Sequence, residues 1–431
     1  MPKKNTVIYL CNSCGNDFPS WAGKCPACGE WNTLQESSIS ISSSHSNITK
    51  NIELKTISSI SSGKYTRIST KIGELDRVLG GGIIPGSVTL LGGEPGIGKS
   101  TLILQLCNNI DNCFYISGEE SLAQIKMRAD RLGISNDTLK LASEGDLLSL
   151  EKELKKHSPS LIIIDSIQTV FLTNVASSPG SMIQVRESGI FLQQFAKTTG
   201  IPILIIGHVT KEGSIAGPRI LEHLVDTVLY LEGDRFHDAR LIRGIKNRFG
   251  ATNEVGIFAL GEKGMTEITN PSEIFLSERT GESGSSVTVI LEGTRPIIIE
   301  LQALVVSTNF GYPKRTTSGF DLNRLSLLAA VISKKTKYNL ANFDIYINIT
   351  GGIKISEPAS DLAVCLAIIS SLRNIPIKKE LCAIGEVGLG GEIRKVGRID
   401  ERKKEAKKLG FEIIATDGKN LETICKEIFK S

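Results

Sequence analysis

The sequence predicts an α/β core, preceded by a small four-cysteine module and followed by a smaller α+β segment. Four of the nine cysteines lie within the first 28 residues, which indicates a compact module at that end. From Ile72 onward, short apolar strands alternate with helix-length amphipathic segments, the pattern typical of a parallel sheet that is covered on both faces. Beyond Gly284 the pattern changes to a strand pair followed by helices, which predicts a separate α+β unit.

Composition and charge exclude several classes of protein. The chain has 431 residues, enough for two or three domains, and its 40% hydrophobic and 22% charged content is that of a globular protein. The net charge of +4 is too small to indicate a nucleic-acid binder by itself. Apolar runs fall far short of the roughly 18 residues that span a bilayer, and the amino terminus lacks a signal-peptide pattern. We therefore expect a cytoplasmic protein with no membrane partner.

Shifts in composition divide the chain into five predicted segments. Seven of the ten residues 37–46 are serine, which is typical of a flexible linker. Pro271, Gly281 and Gly284 interrupt the apolar pattern at a second break. The predicted segments are the cysteine module 1–35, the flexible linker 36–62, the α/β core 63–270, a short linker 271–284 and the α+β segment 285–431.

Cys11, Cys14, Cys25 and Cys28 form two C-x2-C pairs separated by ten residues, and a glycine follows each pair. Four thiolates at this spacing complete a closed tetrahedral site, which is typical of structural zinc. A disulfide framework is not expected in a reducing cytosol. Ligand type alone would also permit iron in a rubredoxin-like site. The other alternative is that these are four ordinary buried cysteines that bind no metal. We expect Zn²⁺.

Residues 93–100 match the phosphate-binding pattern G-x-x-x-x-G-K-[ST] in full. They follow an apolar strand and precede a helix, which is the arrangement that phosphate binding by such a loop requires. The glycines turn backbone N–H groups toward a phosphate, Lys99 reaches the β and γ oxygens, and the Ser100 hydroxyl ligates Mg²⁺. The residues predicted to bind ATP in this loop are Gly93, Glu94, Pro95, Gly96, Ile97, Gly98, Lys99, Ser100 and Thr101.

Acidic residues at two strand ends complete the predicted nucleotide site. The apolar run 161–164 ends in Asp165, which we expect to hold Mg²⁺ rather than merely to cap the next helix. Hydrolysis also needs a group that orients or deprotonates water, and the strand 114–116 leads to Glu119 and Glu120. Glu119 is the predicted base and Glu120 the alternative, provided that this strand borders the P-loop strand. Either could instead be a first-turn glutamate of the following helix.

With these residues placed, the chain resembles the bacterial RadA family, also called Sms, within the wider RecA-like ATPases. The resemblance covers nearly the whole length. It depends on the four cysteines, on residues 75–82 (L-D-R-V-L-G-G-G) and on residues 246–250 (K-N-R-F-G), the last being the family's own signature. The implied fold is a RecA-like P-loop ATPase core behind a zinc module.

The resemblance implies further site residues. Glu119 falls on the position of the water-activating glutamate of RecA-like enzymes, and His208 falls on that of a γ-phosphate sensor. The resemblance also implies a homo-hexameric ring with ATP at subunit interfaces, in which Lys246 and Arg248 act on the neighbour's γ-phosphate. Without it, residues 240–248 would be interpreted as a solvated basic strand or loop, and the histidine as a structural residue.

The carboxy-terminal segment resembles the proteolytic domain of the Lon family. In that register Ala359 occupies the position of the nucleophilic serine and Asp400 that of the lysine, while Ser360 is rotated away on a helix. We therefore expect a Lon-protease-like fold that lacks the Ser–Lys dyad and serves assembly and DNA contact. The basic residues that suggest this, with a plain solvated surface as the alternative, are Lys314, Arg315, Arg324, Lys334 and Lys335.

The expected function is an ATP-driven motor on single-stranded DNA. The resemblance connects such a motor to branched DNA, to branch migration in recombination and repair, and to the RecA recombinase as a partner. Residues 171–186, which follow Asp165, lie where RecA-like proteins place their DNA loops. The missing dyad argues against an ATP-dependent protease. A nucleotide-switched scaffold or signalling ATPase of the same fold stays open, because it needs no DNA track.

Overall fold

The structure is a computed structural model of the chain, and it divides into two compact units, Met1–Glu267 and Ile268–Ser431. Most of the predicted linker 36–62 lies outside the part that it describes. The described residues are 6–11, 17–27, 29–39, 56, 66–207, 221–233, 239–276, 279–308, 311–350, 354–355, 357–414 and 418–429.

The cysteine module contains a three-stranded antiparallel sheet. β1 (Thr6–Cys11) pairs with β2 (Asp17–Phe18) on one side and with β3 (Leu34–Ile39) on the other. The module was predicted to end at residue 35. β3 continues beyond that point because its ladder with β1 extends to Ile39.

A nine-stranded sheet forms the core of the first unit. The strands are β4 (Val88–Gly93), β5 (Cys113–Ser117), β6 (Lys140–Ala142), β7 (Leu161–Asp165), β8 (Ile203–Ile206), β9 (Thr227–Glu232), β10 (Ala239–Asn247), β11 (Val255–Gly261) and β12 (Gly264–Glu267). Their order is β12-β11-β10-β9-β4-β8-β7-β5-β6. The six strands from β9 to β6 are parallel, and β10 to β12 add an antiparallel edge.

Helices cover both faces of this sheet. They are α1 (Gly73–Leu79), α2 (Lys99–Asn109), α3 (Leu122–Arg131), α4 (Leu147–His157) and α5 (Met182–Thr199). The first three pack on one face and the last two on the other, which creates two separate cores. Within β7, Ile163 faces one core while Ile162 and Ile164 face the other, so the strand is apolar at every position before Asp165. The predicted α/β fold class is confirmed.

The second unit is the predicted α+β domain. Its strands are β13 (Ser285–Glu292), β14 (Arg295–Ser307), β15 (Arg315–Ser318), β16 (Phe343–Ile349), β17 (Leu381–Ala383), β18 (Glu386–Val387), β19 (Ile393–Arg394) and β20 (Glu412–Ile414). Its helices are α6 (Pro271–Leu276), α7 (Leu322–Lys335), α8 (Asp361–Arg373), α9 (Ile399–Lys408) and α10 (Leu421–Phe429). The main sheet has the order β13-β14-β16-β15.

The short linker predicted over 271–284 is wrong where the structure describes that stretch. Helix α6 begins at its first residue, and Ser272 is fully buried in the second unit, where its Oγ accepts a hydrogen bond from the N–H of Ile298 at 3.0 Å. Gly284 also belongs to the folded unit, because its carbonyl accepts a bond from the N–H of Ala303 at 2.8 Å. Among the described helices, none is both long enough and apolar enough to cross a membrane.

Candidate nucleotide-binding site

The predicted P-loop connects the buried strand β4 to helix α2. Gly93 ends the strand with φ 151°, and a Cβ there would lie 2.6 Å from the carbonyl oxygen of Leu231, so only glycine fits. Gly98 precedes the helix with φ 109°. The amino terminus of α2 therefore faces the loop, and its first-turn N–H groups and dipole suit a phosphate.

The other loop residues divide into a tip and a base. Pro95 and Gly96 form the exposed tip, while Ile97 is buried beneath it. Ser100 and Thr101 are half-buried in the first turn of α2. A hydroxyl directly beside the loop is the kind of oxygen ligand that Mg²⁺ accepts, so the residues present fit the expected metal.

Lys99 lies within the loop with only 4% of its surface exposed. Its Nζ donates hydrogen bonds to the carbonyls of Gly93 at 2.8 Å and Glu94 at 2.9 Å. Burial lowers the pKa of this lysine to about 8, although the nearby carboxylates of Asp165 and Glu119 act to raise it. The ammonium group is thus poorly solvated and close to two negative charges, and it is placed to exchange its carbonyl partners for phosphate oxygens.

Asp165 is buried at the end of β7, and Tyr115 of β5 holds it there. The Tyr115 hydroxyl donates a hydrogen bond to Oδ2 of Asp165. Burial, together with the adjacent negative charge of Asp165, raises the pKa of Tyr115 well above its usual value, so the tyrosine stays a neutral donor. Asp165 is thus held at the carboxyl end of its strand, close enough to the P-loop to act to raise the pKa of Lys99. Tyr115 is a site residue that the sequence interpretation missed.

Glu119 and Glu120 have different partners. An oxygen of Glu119 accepts a hydrogen bond from the hydroxyl of Ser166, the residue next to Asp165. Glu120 instead forms an ion pair with Arg128 on α3. The structure therefore links Glu119 to the residue next to Asp165, the predicted Mg²⁺ ligand, and pairs the alternative, Glu120, with the following helix.

The strand that carries Glu119 does not border the P-loop strand, contrary to the expectation. β8 and β7 lie between β4 and β5 in the sheet. Glu119 nevertheless influences the pKa of Lys99, because the carboxyl ends of parallel strands meet at one edge of the sheet. The residue stays a candidate base, but it reaches the site beside Asp165 rather than directly from a neighbour of β4.

Lys246 and Arg248 lie away from this edge. The Nζ of Lys246 donates to the carbonyls of Glu222 at 2.7 Å and Val225 at 2.8 Å. Burial, with the positive charge of Arg248 beside it, lowers the pKa of Lys246. Arg248 pairs with the buried carboxylate of Asp226 at 3.2 Å. Both cations are thus anchored near the start of β9.

The anchor of these cations is at the end of β4 opposite to the P-loop. Asp226 accepts a hydrogen bond from the N–H of Val88, the first residue of β4, at 3.0 Å. The loop starts at Gly93, the last residue of the same strand, about 17 Å away at ~3.3 Å per residue. Lys246 and Arg248 therefore do not belong to the phosphate site of their own chain.

Arg240 is a second residue that the sequence interpretation missed. It is 6% exposed, and its Nε donates to the carbonyl of Ile97 in the P-loop at 3.3 Å. The signal for it is the two-residue period of β10, in which Arg240 shares the buried face with Ile242 and Gly244. A cation on an inward-facing strand position needs partners, and the loop carbonyl of Ile97 is one of them, beside the carbonyl of Ala239 at 3.0 Å.

The predicted zinc ligands are described in part. Cys11, at the end of β1, and Cys25 are 0% and 1% exposed and share a small core with Leu34. Two buried thiols in one cluster fit half of a four-thiolate site. Cys14 and Cys28 lie outside the described residues, as does the predicted sensor His208.

The second unit has no Ser–Lys dyad at the predicted positions. Ala359 and Ser360 are buried in a 3₁₀ turn, and the Ser360 hydroxyl donates to the Glu357 carbonyl at 3.3 Å. Asp400 is exposed on α9. Close to these positions, Glu357 forms an ion pair with the fully buried Arg402. Among the residues that the structure describes here, Ala359, Ser360 and Asp400 form no hydroxyl–amine pair of the kind that cleaves peptides.

Two of the basic residues that suggested DNA contact are committed to the fold. Arg315 donates to the carbonyls of Lys314 at 2.9 Å and Leu340 at 3.2 Å, and burial lowers its pKa. Arg324 forms an ion pair with the buried Asp361. Lys334 and Lys335 remain exposed at the end of α7. The predicted basic surface is therefore smaller than the sequence suggested.

Three family models match parts of the chain. Residues 64–214 match the AAA domain, residues 9–36 a rubredoxin metal binding domain, and residues 325–418 the subunit ChlI of Mg-chelatase. They cover, in this order along the chain, the metal module, the ATPase core and most of the second unit. The first match indicates ATP with Mg²⁺ as the ligands of the core, and the second indicates a metal, here zinc, in the module.

Curated relatives match almost the whole chain. The chain is 51% identical to the DNA repair protein RadA of Bacillus subtilis (strain 168), over 97% of its own length and 94% of the relative. It is 48% identical to the DNA repair protein RadA of Halalkalibacterium halodurans, over 98% and 94% of the two chains. It is also 48% identical to that of Listeria monocytogenes, over 95% and 92%.

Proposed function

Because the chain belongs to the family of the DNA repair protein RadA, we propose that it is an ATP-driven motor on single-stranded and branched DNA. It is an AAA-type ATPase of DNA repair and recombination. The motor promotes branch migration and the processing of recombination intermediates, with the RecA recombinase as its partner. A cytoplasmic location is part of this proposal, since its DNA substrate lies there.

The observation that carries the proposal is the meeting of three groups at one edge of the sheet. Lys99 supplies a positive charge within the P-loop, and Asp165 and Glu119 lie close enough to shift its pKa. In catalysis, Lys99 binds the β and γ phosphate oxygens while Glu119 orients and deprotonates the attacking water. Ser100 and Asp165 would hold Mg²⁺, which would supply positive charge against the phosphate oxygens.

The position of Lys246 and Arg248 supports a shared site. Both lie at the end of β4 opposite to their own P-loop, and both are anchored to the backbone or to Asp226 rather than mobile. A cation held at that place can act on the γ-phosphate of ATP only if the nucleotide is bound by the P-loop of another chain. A homo-hexameric ring, in which each subunit completes its neighbour's site, meets this requirement.

Mixed rings test the shared site. Lys99→Ala removes the P-loop cation and Lys246→Ala removes the trans cation, so each variant alone should hydrolyse ATP poorly. In a mixture, some interfaces pair an intact P-loop with an intact Lys246, and hydrolysis should exceed that of either variant alone. Mixtures that never exceed the better parent would overturn the trans assignment.

Residues 171–186 are the proposed contact with DNA. They follow the Asp165 strand, and Gln184 holds them in shape: its buried side chain donates to the carbonyls of Leu172 at 3.2 Å and Val175 at 3.0 Å. The exposed positions between these anchors are small or polar, including Ser178. Such a loop contacts the phosphate backbone more than the bases.

ATP hydrolysis with and without single-stranded DNA tests the motor against a scaffold or signalling ATPase. A motor whose track is single-stranded DNA should hydrolyse ATP faster when that DNA is present. Equal rates with and without DNA would favour the scaffold. A casein-degradation assay tests the protease alternative. ATP-dependent degradation of casein would support a protease, but Ala359 and Asp400 stand where the dyad is needed, so we expect no degradation.

A further inference from the structure

The cysteine module exposes two large aromatic side chains. Trp21 is 58% exposed and Trp31 is 67% exposed, and they are the two tryptophans of the chain. Exposing an indole ring to water sacrifices the apolar burial that usually stabilises it. Two such rings on so small a module indicate a surface that is used for binding.

The edges of the two rings lie beside the same point over Gly23. A Cβ built on this glycine would lie 3.8 Å from Cη2 of Trp21 and 3.8 Å from Cζ3 of Trp31. The two ring atoms are therefore separated by at most twice that distance. The two indoles thus lie next to each other, and Gly23 has no side chain to separate them. Together they offer one exposed aromatic surface on which a planar base can stack.

The backbone that carries the rings is held by the turn that contains Cys25. Trp31 pairs with Lys24 in an antiparallel bridge, and the N–H of Asn32 donates to the carbonyl of Gly23 at 2.8 Å. The N–H of Cys25 donates to the carbonyl of Glu30, also at 2.8 Å. Trp31 and the backbone next to Trp21 are thus held by the same turn that presents a predicted zinc ligand.

The surroundings of the rings favour a nucleobase over an apolar protein surface. Ser20, Lys24, Glu30 and Asn32, which flank the rings in sequence, are exposed and polar, whereas a protein-docking face usually has an apolar centre. The Nζ of Lys24 lies 5.8 Å from the centre of the Trp31 ring, where it can also meet a phosphate. A planar base with a phosphate beside it matches both the ring pair and the cation.

We propose that Trp21, Trp31 and Lys24 form a base-stacking site for single-stranded nucleic acid on the cysteine module. The site is separate from residues 171–186. The inference rests on the proposed function, because it assigns the module a second contact with the same DNA. Stacking tolerates any base, so the site grips single strands without reading their sequence.

Tryptophan fluorescence of the full-length protein reports on this site directly, because Trp21 and Trp31 are its only tryptophans. Titration with a 20-nucleotide oligo-deoxythymidine should quench the emission saturably. An abasic strand of equal length carries the same phosphates without bases and should leave the emission almost unchanged. Equal quenching by the abasic strand would assign a phosphate contact and overturn the stacking site.

Substitution of the rings gives a second readout. Trp31→Ala and Trp21→Ala should each weaken binding of the oligonucleotide by about 5- to 150-fold, the range of one aromatic–base stack. Tyr312→Ala is the matched control, since Tyr312 is an 89% exposed aromatic of the second unit, and it should bind as the parent does. The zinc content of each variant shows that the module is folded. Parental affinity in both tryptophan variants with full zinc would overturn the site.

The failure of this inference is distinguishable from failure of the proposed function. If single-stranded DNA stimulates ATP hydrolysis but leaves the tryptophan emission and the affinities of the variants unchanged, the stacking site is refuted and the motor is retained. If the same DNA neither binds nor stimulates hydrolysis, the proposed function is refuted together with the site.

Discussion

At the residue scale, the hydrogen bonds and charges around Lys99 are the strongest evidence for nucleotide binding. Its ammonium group is held by two loop carbonyls, which are weaker acceptors than charged phosphate oxygens. Burial is the largest influence on its pKa, and the two carboxylates only partly offset it. The exchange of carbonyls for phosphates therefore depends on the protonation state of one side chain.

ATP affinity should decline as the pH rises above about 8. Lys99 has a pKa of about 8, so it is charged below that pH and increasingly neutral above it, and the phosphate requires the charged form. The loss should approach tenfold for each pH unit above the pKa, and proton uptake should rise from near zero at pH 7 toward one per ATP at pH 9. Calorimetry at pH 7 and pH 9, in buffers of different ionisation enthalpy, measures both. Lys99→Arg should show no such dependence, and a wild-type affinity that is level over this range would contradict the assignment.

Glu119→Gln should leave ATP binding nearly intact and reduce turnover by about 10²- to 10⁴-fold, the usual contribution of a general base. Glu120→Gln is the matched control, because Glu120 is paired with Arg128, and its turnover should change little. The rate of single-turnover ATP hydrolysis, measured for both variants, tests the two expectations. A larger defect in Glu120→Gln would reverse the assignment.

At the element scale, the P-loop and the Asp165 strand could be predicted because their signals are contiguous in sequence. An apolar strand, glycines that need positive φ and a helix start follow one another within about a dozen residues. The order of the strands could not be predicted in this way. β8 enters between β4 and β7 from about forty residues further along the chain, and such non-local pairings leave no local pattern.

The role of Arg240 could have been predicted from the alternation of buried and exposed residues along β10. It lies on the buried face of β10, whereas Arg243 lies on the opposite face and pairs with Glu232 at 2.9 Å. Taken only as charges, the two arginines look alike in sequence. The two-residue period separates them, and it marks Arg240 as the cation that supports the loop.

Arg240→Met should weaken binding of both ATP and ADP by about tenfold or more, because a charge-assisted bond to the Ile97 carbonyl is lost. Arg243→Met removes an arginine from the same strand, and it should bind nucleotide as the parent does. A fluorescent nucleotide titration measures the affinities, and thermal unfolding shows whether either variant is destabilised. Equal affinities in the two variants would show that Arg240 does not position the loop.

Ser360→Ala should change neither ATP hydrolysis nor casein degradation. Ser360 is fully buried and bonded to the Glu357 carbonyl, so its loss should cost only about 1 kcal/mol of stability. Thermal unfolding and both activity assays check this. ATP-dependent cleavage of casein by the parent that disappears in the variant would revive the protease hypothesis.

At the scale of the whole molecule, the three parts could be predicted because they differ in composition. The cysteines mark the module, and the change from strand–helix alternation to a strand pair marks the second unit. The prediction of a linker over residues 271–284 was wrong for a physical reason. Pro271 was interpreted as a break in the chain's regular structure, but it is the first residue of α6, a position that proline favours. Burial of Ser272, a non-local property, decides that this segment is folded.

The central claim is that ATP hydrolysis moves this protein along single-stranded DNA. Displacement of streptavidin from the biotinylated end of a DNA strand tests it most directly, because a protein that only binds or only hydrolyses exerts no sustained force on the block. The wild-type protein with ATP should displace streptavidin from one end of the strand, and Lys99→Ala should not displace it from either end. DNA-stimulated hydrolysis by the wild-type protein without displacement from either end would contradict the motor.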